Sequence, residues 1–86
     1  MSEATHSDDT IRAEVLRVLG LVLGIEPPPV LRRRDCPQWD SLAHVQIVFA
    51  LEDAFGLAFS LQELTELTDS DSIALHVKAR LDGQPG

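Results

Sequence analysis

Asp40, Ser41 and His44 place a carboxylate, a hydroxyl and an imidazole within five residues, where Trp39-Asp40-Ser41-Leu42 opens an apolar run. Two chemistries could use such a set. A serine followed by histidine could be a nucleophile with its base, but no oxyanion donors or cleft accompany the pair. The other chemistry is modification. Asp40 is a good N-cap, because its carboxylate accepts from free first-turn N–H groups. Ser41 then falls at the first helical position, where unpaired N–H groups and the positive dipole end favour an attached anion. Ser41 is thus a candidate for carrying a covalently linked phosphate.

Little else in the chain has the spacing of a reactive site. His6 falls in a polar arm and His76 on an outer helical face. His44 lies one turn after Ser41 on the core side, as a packed or half-exposed residue. The acids are scattered without metal-loop spacing, so no metal is expected. Cys36 stands alone, which excludes an intrachain disulfide and reads as an incidental loop thiol.

The elements that position Ser41 follow from periodicity. In the helix from Ser41 to about Phe55, Ile47, Val48, Leu51 and Phe55 share one side and suit a core. Leu42, Val45 and Phe49 form a second apolar stripe, with Gln46, Glu52 and Asp53 on the same side. That stripe is either a docking surface edged by carboxylates or part of a helix buried nearly all round. Before it, a helix from about Asp9 to Leu23 carries Ile11, Val15, Val18, Leu19 and Val22 at helical spacing and stops at Gly24. Gly20 inside it permits close helix contact.

A 16-residue connection, Ile25 to Asp40, starts with three prolines and holds the only basic cluster, Arg32-Arg33-Arg34. Val30, Leu31 and Trp39 are its expected anchors. The arginines are either a solvated, salt-bridged loop or a contact for a partner or phosphate. Ser60-Leu61-Gln62-Glu63 is a capping box opening a short third helix to Leu67, with Leu61, Leu64 and Leu67 inward. A fourth helix starts between Thr68 and Ser72 and ends before Gly83, burying Ile73, Val77 and Leu81. The expectation is an all-α four-helix bundle with three longer helices, a short third and a long first loop. It spans residues 9–82, flanked by a disordered arm over 1–8 and a disordered tail over 83–86.

Composition narrows the function. A chain of 86 residues is one small domain with little room for an enzyme cleft. Fourteen acids against seven Lys and Arg give a net charge of -7, which argues against nucleic acid, and so against a small DNA-binding bundle. Basic protein partners fit better. No signal peptide or membrane-length apolar run is present, so a cytoplasmic monomer without membrane contact is expected.

A chain of this length and acidity, with Asp40-Ser41-Leu42 opening a helix that ends Ala50-Leu51-Glu52-Asp53-Ala54-Phe55-Gly56, resembles an acyl carrier protein over about Ile11 to Leu81. The resemblance implies that Ser41 carries 4′-phosphopantetheine, a cofactor delivered from coenzyme A by a phosphopantetheinyl transferase. It implies no enzyme activity of the chain's own. A loading ligase or acyltransferase would attach an acyl group as a thioester, and downstream synthases or transferases would use it. Asp40 would cap the helix and help hold Mg²⁺ and coenzyme A in the transferase complex. Leu42, Val45, Gln46, Phe49, Glu52 and Asp53 would be the partner-binding surface, and His44 would lie near the mouth of an acyl pocket or touch the cargo.

Departures from the family pattern bear on the pathway. Ala43, His44 and Gln46 replace residues that are often acidic or small in fatty-acid carriers. That favours polyketide-like or other specialised biosynthesis over housekeeping fatty-acid synthesis. An aminoacyl or peptidyl carrier loaded by an adenylating ligase is the alternative, although Gln38-Trp39-Asp40 stands where peptidyl carriers commonly have a glycine pair. The loop is shorter than in many members and lacks their usual phenylalanine, which Trp39 would replace. A reading of another class is a non-modified helical adaptor that binds through Leu42, Val45 and Phe49.

Overall fold

Four apolar faces of helical period are brought together in the computed structural model, which describes residues 8–83. Helix α1 runs Asp8–Leu23, α2 Ser41–Phe55, α3 Leu61–Glu66 and α4 Ser70–Leu81. A single turn of 3-10 helix, Arg33–Asp35, interrupts the long connection between α1 and α2. The described part of the chain is all-α, with one isolated bridge between Arg32 and Asp69 and no strand. None of its helices is long and apolar enough to cross a membrane.

Helix α1 starts on Asp8 and Asp9, whose carboxylates suit the positive dipole end. It packs on both α2 and α4. Ile11, Val15, Val18, Leu19 and Leu23 from α1 meet Ile47, Val48 and Leu51 from α2 and Ile73 and Val77 from α4 in one buried core. Val22, Phe55 and Leu81, expected inside, are only partly buried at its edge. Leu16, not expected to pack, joins them there.

Gly20 does allow a close approach, but to the chain that follows rather than to another helix. A Cβ at Gly20 would stand 2.9 Å from both the Ile25 carbonyl oxygen and Pro27 Cδ. The chain reverses at Gly24, whose φ of 70° suits glycine, and folds Ile25 and Pro27 back across α1.

The first loop is fastened to the α3–α4 turn. The Arg33 N–H donates to the Thr68 carbonyl at 3.0 Å, and the Ser70 N–H to the Leu31 carbonyl at 2.8 Å. The fully buried Ser70 hydroxyl accepts from the Leu31 N–H at 3.0 Å. Leu31, Cys36 and Trp39 are the loop's buried anchors, whereas Val30 is exposed, contrary to expectation. In extended chain neighbours face opposite ways, so turning Leu31 inward turns Val30 out.

Helix α3 is opened by the expected capping box. Ser60 Oγ accepts from the Glu63 N–H, and Glu63 Oε1 accepts from the Ser60 N–H. Leu67 is fully buried and Leu64 partly so, but Leu61 is 86% exposed. At 3.6 residues per turn, Glu63, Leu64 and Leu67 share one direction, and Leu61 lies roughly 110° from it. Glu63 takes the inner place instead. The disordered arm expected over 1–8 lies outside the described residues except Asp8, which opens α1. The tail expected over 83–86 likewise lies outside them except Gly83, a left-handed turn residue with φ 84°.

Candidate attachment and docking site

Ser41 stands exposed as the first residue of α2. Asp40, in extended backbone, is the N-cap: its Oδ1 accepts from the Ala43 N–H at 2.9 Å, and its carbonyl accepts from the His44 N–H at 2.9 Å. The bond from Ala43 uses one of the four free donors of a helix start, and the bond from His44 is the first of the helix itself. The N–H groups of Ser41 and Leu42 have no partner among the described residues. They sit beside the Ser41 hydroxyl at the positive end of the helix dipole. The residues present therefore fit an attached phosphodiester: an accessible hydroxyl, two open N–H donors and a fixed cap.

The opening of α2 is held from behind by two rings. The Trp39 indole N–H donates to His44 Nδ1 at 3.0 Å, and the rings stack with centroids 6.1 Å apart. Because the indole is only a donor, Nδ1 must accept and Nε2 must carry the proton. Nε2 then donates to the Leu64 carbonyl, 2.8 Å away. Both residues are buried. His44 thus ties the residue before the cap, the first turn of α2 and helix α3 into one unit. With both nitrogens engaged it is not poised as a base for Ser41.

The two-sided pattern of α2 resolves into one buried and one exposed face. Ala43, His44, Ile47, Val48 and Leu51 are buried. Leu42 is 68% exposed, Val45 43% and Phe49 64%. Gln46 and Asp53 are exposed beside them. These three apolar residues, at spacings of three and four, form a continuous stripe that starts next to Ser41. Glu52 differs from the expectation of a free rim acid. It is partly buried, and its Oε2 accepts from the Phe59 N–H at 2.9 Å, fastening the chain after α2. Helix α2 ends at Gly56, in left-handed backbone with φ 66°.

Behind α3 lies an ionic cluster that periodicity alone did not reveal. Buried Glu63 pairs with Arg80, whose Nη1 also donates to the Ala58 carbonyl at 2.6 Å. His76 sits between two acids, Nδ1 3.3 Å from Glu63 and Nε2 3.4 Å from Glu66. It is half-buried, not on an outer face as expected. Burial alone would raise the Glu63 pKa. The Ser60 N–H, His76 and the Arg80 cation together outweigh it and hold the carboxyl below its ordinary value.

Cys36, in the loop as expected, is a buried free thiol that also anchors that loop, with Sγ donating to Gln38 Oε1 at 3.4 Å. The arginine cluster is split in its contacts: Arg33 Nε donates to the Trp39 carbonyl at 3.2 Å, and Arg32 approaches Asp35 at 3.8 Å. The Trp39–His44 bond and buried Ser70 are the site features that sequence reading missed. A lone tryptophan five residues before a core-side histidine was the available signal for the first.

Compared with known protein families, with curated proteins and with solved structures, the chain finds no match.

Proposed function

We propose that this chain is an acyl-carrier-like protein with 4′-phosphopantetheine attached at Ser41. The observation that carries the reading is the pairing of an exposed serine at a capped helix start with an exposed apolar stripe running from it along the same helix. When bound, the group supplies a thiol that holds an acyl cargo as a thioester. Everything else is done by the chain's own residues.

Asp40 fixes the first turn, so that Ser41 presents its hydroxyl outward to a transferase using coenzyme A and Mg²⁺. The N–H groups of Ser41 and Leu42 stabilise negative charge at that oxygen. Leu42, Val45 and Phe49 give apolar contact to partner enzymes, with Gln46 and Asp53 at the rim. Exposed acids on a chain of net charge -7 steer basic partners, and such contacts are fast and reversible. The pathway is a specialised polyketide-like or fatty-acid one, or carriage of aminoacyl groups after an adenylating ligase.

The test is intact mass after incubation with coenzyme A and a promiscuous phosphopantetheinyl transferase. A gain of one phosphopantetheine supports carriage. No gain with several transferases favours the helical adaptor, a reading supported by the exposed stripe alone.

A further inference from the structure

The arginine cluster is not absorbed by the carrier reading. Arg32, Arg33 and Arg34, with Trp39, Thr68 and Asp69, line an open hollow of about 710 Å³. Its backbone is set by the bonds from Arg33 to Thr68 and between Leu31 and the buried Ser70. The hollow is therefore built on two fastened segments rather than on a free loop.

Its charge is unbalanced. Three cations and one acid line it, on a chain whose net charge is -7. The acid is occupied elsewhere, since Asp69 Oδ1 accepts from the Ser72 N–H at 2.6 Å. Arg32 has only the distant Asp35, and Arg34 has no ion pair or hydrogen bond among the described residues. Arg33 spends Nε on the Trp39 carbonyl, which orients its guanidinium and leaves both terminal nitrogens open. Three adjacent like charges repel one another, and a bound anion relieves that repulsion. Guanidinium forks match phosphate oxygens in pairs, which a carboxylate-poor hollow of this size can accept.

We propose that this hollow binds a phosphate-bearing small molecule, with Arg34 and the open nitrogens of Arg33 as its ligands. Trp39 forms one wall and lies two residues before Ser41, so the hollow opens within about 7 Å of chain from the attachment serine. Two sources share the chemistry: the phosphates of coenzyme A, and a free diphosphate. The proposal does not depend on Ser41 being modified.

The experiment is titration calorimetry on the Ser41→Ala chain at matched ionic strength, with coenzyme A and with inorganic pyrophosphate as separate probes. Fluorescence of Trp39, the only tryptophan, is followed in parallel. Saturable binding is expected, weakened about tenfold or more in Arg34→Gln, where a charged donor is lost. Coenzyme A binding more tightly than pyrophosphate assigns the site to the coenzyme; equal binding assigns it to the diphosphate alone. No saturable heat from either probe, or Arg34→Gln titrating as its parent with helical circular dichroism retained, overturns the proposal. Because Ser41→Ala cannot be modified, failure here leaves the carrier reading standing, and the reverse also holds.

Discussion

The indole N–H of Trp39 and Nδ1 of His44 are 3.0 Å apart, buried directly behind the start of α2. A pair five residues apart thereby joins the loop to the helix, and through Leu64 to α3. Trp39→Phe should leave the Nδ1 acceptor unpaired and cost about 1–3 kcal/mol. His44→Leu also takes the donor from the Leu64 carbonyl, so the double variant should not return to wild type but should cost less than the sum of the two single changes. Urea unfolding of the two single variants and the double measures the coupling. Strict additivity would show that the bond contributes nothing.

The two faces of α2 should differ sharply in energy. Leu51 is fully buried, so Leu51→Ala should cost about 2–5 kcal/mol. Phe49 is 64% exposed, and Phe49→Ala should stay within about 0.5 kcal/mol. Phe49→Ala should instead slow modification by the transferase. Equal stability losses at the two positions would contradict the assignment of faces.

How much of this was legible in the sequence depends on what each residue's neighbours are. The helices, the Asp40 cap and the Ser60–Glu63 capping box rest on local spacing, and all appear where that spacing put them. Leu61 was misread although helix phase already sets it apart from Leu64 and Leu67. What local spacing does not show is that Glu63 takes the inner place, since its partner Arg80 lies 17 residues further along the chain. Val30 and Leu31 could not be told apart, since only the distant Ser70 selects which of them turns in. Gly20 signalled a close approach, but its partner is the reversing chain at Pro27, which periodicity does not reach. At the site, the place of Ser41 and the grouping of Leu42, Val45 and Phe49 follow from helix phase. That the stripe is exposed does not, because it depends on no other element packing there, and the engagement of Glu52 with Phe59 is a contact between α2 and the turn beyond it.

Glu63 should make stability depend on acid pH. Its carboxyl is held below the ordinary value of 4.5, so its pairing stabilises the fold above that value. The contribution is lost as pH falls below about 4.5 and through the folded value. Glu63→Gln should lower stability by about 2 kcal/mol at neutral pH and give a flatter acid limb. Thermal unfolding of both proteins across pH 3 to 7, in steps of about half a unit, measures it. Parallel curves would contradict the role given to Arg80 and His76.

Glu52 and Asp53 should separate, though they are adjacent acids. Asp53→Lys should leave stability nearly unchanged, slow association with the transferase and weaken its salt dependence, as rim charges act through steering. Glu52→Lys should also destabilise the fold by about 1–3 kcal/mol, because the Phe59 N–H loses its acceptor. Stopped-flow association at several salt concentrations, beside unfolding curves, distinguishes the two. Identical behaviour would mean that the Glu52–Phe59 bond is unimportant.

The central claim is the attachment at Ser41, and fragment mass spectrometry tests it most directly. After reaction with coenzyme A and a transferase, wild type should gain one phosphopantetheine, located on the peptide containing Ser41. Ser41→Ala, with the same helical circular dichroism, should gain none. Modification of the Ser41→Ala chain, or an unmodified wild type across several transferases, would contradict the account.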